Sequence, residues 1–132
     1  MASIRREIAL DARPETVWAH LRDFPAVHER VAPGFVVDSR VDGDARLVTF
    51  ANGTDARERL VALDDDARRL VYAVVGSPRI EQHSASVQVL AEGDGRARLV
   101  WIADLLPDAI GPYVASQMDD AVKVMKPALE RP

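Results

Sequence analysis

Residues 96–130 read RARLVWIADLLPDAIGPYVASQMDDAVKVMKPALE, and they carry the clearest structural signal in the chain. In the first part, charged and apolar residues alternate, which predicts a strand with one buried face. That apolar face comprises Leu99, Trp101, Ala103 and Leu105. From Asp108 to Glu130, apolar residues recur at helical spacing, namely Val114, Met118, Ala121, Val122, Met125 and Leu129. The stretch therefore predicts a strand followed by a long amphipathic helix, which Pro127 should kink or end near its last turn.

The chain from Phe35 to Leu106 consists of short alternating segments separated by turn residues, which predicts a meander of about six strands. Ile4 to Asp11 fits one further strand. Between them, Pro14 starts a short helix, and a second short helix covers Ala26 to Val31. We expect one α+β domain spanning residues 1–132, in which a curved antiparallel sheet of about seven strands wraps around the C-terminal helix. Because a curved sheet cannot touch a straight helix everywhere, the gap between them is a natural cavity for an apolar ligand.

Composition excludes several classes of function. The chain contains no cysteine, which rules out disulfides, thiolate metal sites and a cysteine nucleophile. The formal charge of −4 and the scattered basic residues disfavour nucleic acid and membrane surfaces as partners. With neither a membrane-spanning apolar run nor a secretory signal, we expect a cytoplasmic protein. Phosphate-loop and dinucleotide motifs are absent, and the spacing of His20, His28 and His83 does not fit a metal site, so we expect no cofactor and no metal.

Strand alternation also assigns the side chains that would face the cavity. On the central strands this inner face is apolar except for Glu58 and His83, which become the polar anchors of the predicted site. The turn centred on Asp66 would pair Glu58 with Val74, and the next turn would bring Val74 opposite His83. The Glu58 and His83 backbones would then lie about 10 Å apart, so that a ligand or an ordered water bridges them. Replacing either by alanine should weaken ligand binding and leave the fold intact.

The predicted ligand-binding residues combine this row with the apolar side chains around it. They are Phe50, Ala56, Glu58, Tyr72, Val74, His83, Ala85, Trp101, Met118, Val122 and Met125. Glu58 and His83 are also the candidate catalytic residues. Alternation turns Leu60 and Ala62 toward the same face. Two plainer interpretations stay open, in which Glu58 pairs with a neighbouring arginine and His83 is a core histidine with satisfied hydrogen bonds.

Two motifs point to a known family: the helix start Pro14-Glu15-Thr16-Val17-Trp18, and the strand from Leu99 to Pro107 before the long helix. With the element order, they resemble the START-like (SRPBCC) helix-grip superfamily, particularly its bacterial members similar to polyketide cyclases and dehydrases. This resemblance covers nearly the whole chain. It implies a helix-grip fold with an internal cavity.

The plant abscisic-acid receptors of the same superfamily are similar around Glu58-Arg59-Leu60 and from Val74-Val75-Gly76 to His83. That similarity implies a cavity lined by Ala56, Glu58, Val74, His83 and Ala85. The gate and latch of those receptors are replaced here by Ala51-Asn52-Gly53-Thr54 and Pro78-Arg79-Ile80. Hormone sensing is therefore not implied.

Three functions fit these observations. The first is a binding module that holds a small hydrophobic or aromatic molecule, oriented by Glu58 or His83. The alternative is a polyketide aromatase, cyclase or dehydratase in which His83 or Glu58 moves a proton during condensation or loss of water. A third, a co-chaperone-like interaction domain, would need an exposed apolar patch, of which the sequence contains no sign. The expected partner is thus a small hydrophobic molecule, and the sequence leaves a homodimer open.

Overall fold

A computed structural model describes residues 1–132 of the chain. The elements are β1 (Ala2–Leu10), α1 (Pro14–Arg22), α2 (Val27–Arg30), β2 (Val36–Asp42), β3 (Ala45–Phe50), β4 (Asp55–Asp64), β5 (Arg69–Val75), β6 (Gln82–Ala91), β7 (Ala97–Leu106) and α3 (Gly111–Leu129). Short 3₁₀ turns at Phe24–Ala26 and Asp108–Ile110 precede α2 and α3. This order of elements is the one expected from the sequence.

All seven strands form one sheet in the order β1-β7-β6-β5-β4-β3-β2, and every pairing is antiparallel. The meander from β2 to β7 pairs each strand with the next along the chain. β1 then joins β7, with Ala2 opposite Leu105 and Leu10 opposite Ala97. The prediction of an α+β helix-grip fold, a curved seven-stranded sheet around a long C-terminal helix, is confirmed.

The helix α3 packs against the sheet because only one of its sides is apolar. Its buried residues are Gly111, Met118, Ala121, Met125, Ala128 and Leu129. The helix start lies very close to β1, since a Cβ built on Gly111 would be 3.0 Å from the Ala2 Cβ. A larger residue at this position would push the helix away from the sheet. No helix of the protein combines the length and the apolar character needed to cross a lipid bilayer.

Two details of α3 differ from the prediction. The helix begins at Gly111 instead of Asp108, because residues 108–110 form a 3₁₀ turn. Val122 is only half-buried on the flank of the helix, while Ala121 is fully buried. Pro127 lies in the last turn, and the helix ends soon after it at Leu129, as expected.

The helices α1 and α2 cover another part of the core. α1 begins at Pro14. Proline lacks a backbone N–H, and this costs nothing at the first position of a helix, where the N–H has no partner within the helix. Val17 of α1 and Val27 of α2 belong to the same core cluster as the buried α3 residues. Trp18 Nε1 donates to Asp65 at 2.8 Å, which ties α1 to the turn between β4 and β5.

An irregularity in β4 changes which of its residues face inward. β4 and β5 pair Leu60 with Tyr72 but Ala62 with Val71, so one extra residue of β4 lies between these pairs. After this bulge the faces of β4 are exchanged: Ala62 is exposed, whereas Leu63 packs against the core. The prediction that Ala62 faces inward is therefore wrong, because strict alternation cannot anticipate a bulge.

The placement of α3 predicts the effect of a charge at Met118, which is 3% exposed. Met118→Asp should lower the unfolding free energy by about 3 kcal/mol or more, because it removes apolar packing and buries a carboxylate. Chemical denaturation measures the loss. Ser116→Asp on the exposed side of the same helix is the matched control. Equal stability of the two variants would contradict the packing of α3 against the sheet.

Candidate functional site

A cavity of about 520 Å³ lies between the inner face of the sheet and α3. Its walls come from β3 to β7, the β5–β6 loop and the first half of α3, and 13 of its 21 lining residues are hydrophobic. A second cavity of about 80 Å³ lies toward α1 and α2. Both cavities are lined by Phe35, Phe50, Glu58, Tyr72 and Trp101, so they adjoin. The larger volume is within the range of small-molecule sites, about 300–1,000 Å³.

The large cavity brings together eight of the eleven residues predicted to bind a ligand. They are Phe50, Ala56, Glu58, Tyr72, Val74, His83, Trp101 and Met118. Met125 lines only the small cavity. Ala85 lines neither cavity, because it is enclosed in the core with Tyr72 and Ala103 on either side in the ladder. Val122 is also outside both, on the flank of α3. That a ligand binds at the lining residues stays a prediction.

Several lining residues were missed from the sequence. Arg46 has the same parity on β3 as Val48 and Phe50, and that parity could have identified it. Gln117 was expected on the opposite side of α3 from the apolar stripe, yet it lines the cavity next to Met118. Phe35, Arg79, Ile110 and Tyr113 are further examples. These lie in loops, turns or helix starts, where neither the strand nor the helix period assigns a face.

Arg46 and Glu58 form an ion pair in the wall of the small cavity, and Glu58 also lines the large one. They lie opposite each other on β3 and β4, and Arg46 Nε donates to Glu58 Oε1 at 2.8 Å. Arg46 Nη1 donates to the Phe24 carbonyl at 2.8 Å. The guanidinium carbon is 3.9 Å from the centre of the Phe24 ring and 5.3 Å from that of the Tyr72 ring. The side chains are only 9% and 10% exposed, so these contacts replace the water that both charges lose.

This ion pair corrects the prediction that Glu58 and His83 are the only ionisable residues on the inner face. Of the two interpretations of Glu58, pairing with a neighbouring arginine is the one that the structure supports. The second carboxylate oxygen, Oε2, has no hydrogen-bond partner in the protein and is not sealed in the core. It is free to accept a hydrogen bond from a molecule in the cavity.

His83 is held by a hydrogen bond from the backbone. Glu58 pairs with Val74 as predicted, but the β5–β6 ladder ends at Tyr72 and Ala85, just before Val74 and His83. Beyond the end of the ladder, the His83 side chain links the two strands, because the Val74 N–H donates to its Nδ1 at 3.1 Å. Both predicted anchors therefore have protein partners. The prediction that a ligand or water must bridge them is wrong.

The hydrogen bond from Val74 also decides where His83 carries its proton. Burial lowers the pKa of His83, although Glu58 and Asp104 oppose this effect. The ring is therefore neutral at pH 7, and Nδ1, as an acceptor, carries no proton. The proton is on Nε2, which has no partner in the protein. In this tautomer His83 is a donor toward the cavity, and its basic nitrogen is already engaged.

Tyr72 provides a second donor next to His83, with the two ring centres 5.9 Å apart. The Tyr72 oxygen accepts a hydrogen bond from Trp101 Nε1 at 3.3 Å, and its own proton has no acceptor in the protein. Burial, together with the charge of Glu58, raises the pKa of Tyr72, so the hydroxyl stays protonated at neutral pH. Tyr72 and His83 thus present two neutral donors beside the free Oε2 of Glu58, in a cavity that is also lined by Thr54, Asp55, Ser77, Arg79 and Gln117.

The other histidines are outside this site. His20 Nε2 donates to the Arg131 carbonyl at 2.8 Å, and its Nδ1 accepts from Arg30 Nε at 3.2 Å. His28 lies beside Glu29. No group of three or more histidine, aspartate or glutamate side chains is arranged to hold a metal ion.

The buried ion pair predicts a large cost for losing one partner, contrary to the expectation that Glu58→Ala leaves the fold intact. Arg46→Met leaves the buried Glu58 carboxylate without its partner and should lower the unfolding free energy by about 3 kcal/mol or more. Glu58→Leu should lower the unfolding free energy by a similar amount, because it leaves the buried guanidinium without its partner. The double variant Arg46→Met/Glu58→Leu removes both charges and should recover most of the loss. Urea unfolding measures all three.

Arg40→Met is the matched control for these variants, because Arg40 lies on the neighbouring strand β2 in an exposed pair with Asp38. Exposed pairs contribute little to stability, so this variant should unfold almost like the natural protein. A double variant as unstable as the two single losses added together would contradict the role of the pair.

The chain matches a known family and several solved structures. The family model for "Polyketide cyclase / dehydrase and lipid transport" matches residues 1–131. No curated protein matches the chain. The protein XoxI from Bacillus cereus is similar, with a TM-score of 0.85 at 18% identity over 98% of this chain and 96% of that one. A Thermobifida fusca protein gives a TM-score of 0.80 at 30% identity over 98% and 91%. A START superfamily protein from Mycobacterium smegmatis gives 0.75 at 10% identity over 98% and 95%.

These matches confirm the resemblance inferred from the Pro14–Trp18 helix start and the strand before α3. Solved structures that share less than a quarter of their residues with this chain establish only a common fold. The family model establishes the family, because it matches nearly the whole sequence. The chain therefore belongs to the polyketide cyclase / dehydrase and lipid transport family, and it shares its fold with a START superfamily protein.

Proposed function

We propose that the protein binds a small hydrophobic or aromatic molecule in the large cavity. The observation that carries this proposal is an internal space of about 520 Å³ with a mostly apolar wall. Moving an apolar surface from water into such a space gains about 25 cal/mol for each Å² buried. The family description supports the same function, because it names lipid transport beside cyclisation.

The aromatic residues of the wall favour a planar ligand. Phe35 and Phe50 meet edge to face, with ring centres 5.5 Å apart. Tyr72 and Trp101 line the same cavity and are fixed to each other by a hydrogen bond. Aromatic pairs gain about 0.5–1.5 kcal/mol from stacked or edge-to-face geometry beyond the area that they bury. A planar aromatic molecule can make several such contacts at once.

The hydrogen bonds of the two candidate catalytic residues favour binding over catalysis. A general base needs a free lone pair within reach of the substrate proton. The lone pair on His83 Nδ1 is occupied by the Val74 N–H. One oxygen of Glu58 is occupied by Arg46. Of these two candidates, only Glu58 retains a free acceptor, its Oε2.

The alternative function is that of a polyketide aromatase, cyclase or dehydratase. It is supported by the family description and by the free Glu58 Oε2 in the cavity. In this case Glu58 would remove a proton from a carbon next to a carbonyl, and Tyr72 or His83 would donate a hydrogen bond to the enolate oxygen. Binding of the carbonyl substrate would still come first.

Filling part of the cavity should weaken binding. Ala56→Phe places a ring in the large cavity and should weaken the binding of a planar probe such as naphthalene about tenfold or more, because the space is lost. Ala62→Phe adds the same ring to the exposed face of the same strand and is the control. Isothermal calorimetry measures both, with a nucleotide and a sugar as polar probes. Tight binding of the nucleotide, or undiminished binding of naphthalene by Ala56→Phe, would contradict the proposal.

A proton-transfer assay tests the alternative function. A binding module should not speed the exchange of deuterium into the central carbon of a 1,3-diketone dissolved in deuterated buffer. NMR measures this exchange with and without the protein. Protein-dependent exchange that disappears in Glu58→Gln, with a circular-dichroism spectrum that shows the variant still folded, would replace the binding proposal by the enzymatic one.

A further inference from the structure

We propose that the cavity selects molecules with a neutral oxygen acceptor, such as a ketone or aldehyde carbonyl, which accepts hydrogen bonds from His83 Nε2–H and Tyr72 O–H. This inference rests on the proposed function and specifies its ligand class. A carboxylate or a pure hydrocarbon of the same shape is the class that the cavity disfavours.

The first step is the fixed tautomer of His83. Without the hydrogen bond from Val74, a neutral imidazole could present either a donor or an acceptor to the cavity. The Val74 N–H occupies Nδ1, so the nitrogen that remains for a ligand is always the donor. The backbone of β5 thereby decides the hydrogen-bonding character of a side chain on β6.

The second step is the orientation of Tyr72. Its oxygen already accepts the Trp101 N–H at 3.3 Å, so the hydroxyl proton points to a different partner. The Tyr72 and His83 rings are neighbours on adjacent strands, with centres 5.9 Å apart. A carbonyl oxygen has two lone pairs and can accept from both donors.

The third step concerns charge. Arg46, the buried cation in the wall of the adjoining small cavity, already binds Glu58 and the Phe24 carbonyl. A ligand carboxylate near Tyr72 and His83 would lie close to the negative charge of Glu58. The unpaired cation of the lining, Arg79, is exposed in the β5–β6 loop, where water weakens its attraction for an anion. A hydrocarbon would leave two buried donors without an acceptor, which is also costly. A neutral acceptor avoids both penalties.

Three naphthalene probes of nearly equal shape test this selection: 2-acetylnaphthalene, 2-ethylnaphthalene and 2-naphthoate. Calorimetry should find that the ketone binds about tenfold more tightly than the hydrocarbon, the ratio expected for one or two hydrogen bonds to otherwise unpaired donors. The carboxylate should bind more weakly than the ketone. Equal binding of ketone and hydrocarbon, or tightest binding of the carboxylate, would overturn this inference while leaving the proposed function in place. Failure of all three probes to bind would overturn the proposed function as well.

Tyr72→Phe removes one of the two donors and, with it, the acceptor of the Trp101 Nε1–H. It should reduce the affinity for the ketone about fivefold, and the affinity for the hydrocarbon much less. Thr49→Val removes a hydroxyl from β3 outside both cavities and should leave the preference for the ketone unchanged. An undiminished preference in Tyr72→Phe would contradict the role of this hydroxyl.

The tautomer of His83 can be read directly. In the ¹⁵N NMR spectrum of the imidazole rings, His83 should show a protonated Nε2 and an unprotonated Nδ1 at neutral pH. The signal should move further toward a hydrogen-bonded donor when the ketone is added. A protonated Nδ1, in the free or the bound protein, would overturn the inference, because the free nitrogen would then be an acceptor.

Discussion

The structure depends on a geometric constraint: a straight helix of 19 residues packs against a sheet that curves around it. The two can touch only along part of their length. α3 packs against the sheet through its buried residues Met118, Ala121 and Met125, and Gly111 permits its close approach to β1. Where contact is lost, the inner face of β3 to β7 becomes the wall of a cavity. The position of that cavity therefore follows from the fold, whatever molecule occupies it.

The buried ion pair and the His83 ring in the cavity wall have partners inside the protein, which offset part of their burial cost. Arg46 and Glu58 neutralise each other, and the guanidinium also contacts the Phe24 carbonyl and ring. His83 receives the Val74 N–H. Around Tyr72, His83 and Glu58, two donors and one carboxylate oxygen are left without a protein partner, and each has a fixed direction. A site of this kind orients an apolar molecule through its few polar atoms, and the surrounding apolar wall provides most of the affinity.

Much of this arrangement follows from sequence periods alone. The helical spacing of Met118 and Met125 and the strand alternation of Tyr72 and Trp101 are fixed by backbone geometry, so the faces of these residues were predictable. Alternation failed at Ala62, because a bulge inserts one residue and reverses the faces after it. Ala85 was assigned to the correct face but lies beneath its neighbours, which a one-dimensional pattern cannot reveal.

The interactions that give the site its chemistry were harder to predict. Arg46 had the inward parity of β3, but an arginine in an apolar wall is plausible only when its carboxylate partner is known to lie opposite. The bond between the Val74 N–H and His83 connects a backbone group to a side chain where a ladder ends. Contacts of this type depend on the exact path of two strands and leave no signature in either strand alone.

The methionine methyl groups provide the most direct test that the cavity is the binding site. The chain has three methionines: Met118 lines the large cavity, Met125 lines the small one, and Met1 is 69% exposed. In a ¹³C-methyl NMR titration with 2-acetylnaphthalene, the Met118 signal should shift most, because an aromatic ring bound in the cavity lies against it. Met125 should shift less, and Met1 should not move. A probe that binds by calorimetry while leaving Met118 unchanged would show that the binding site is elsewhere on the protein.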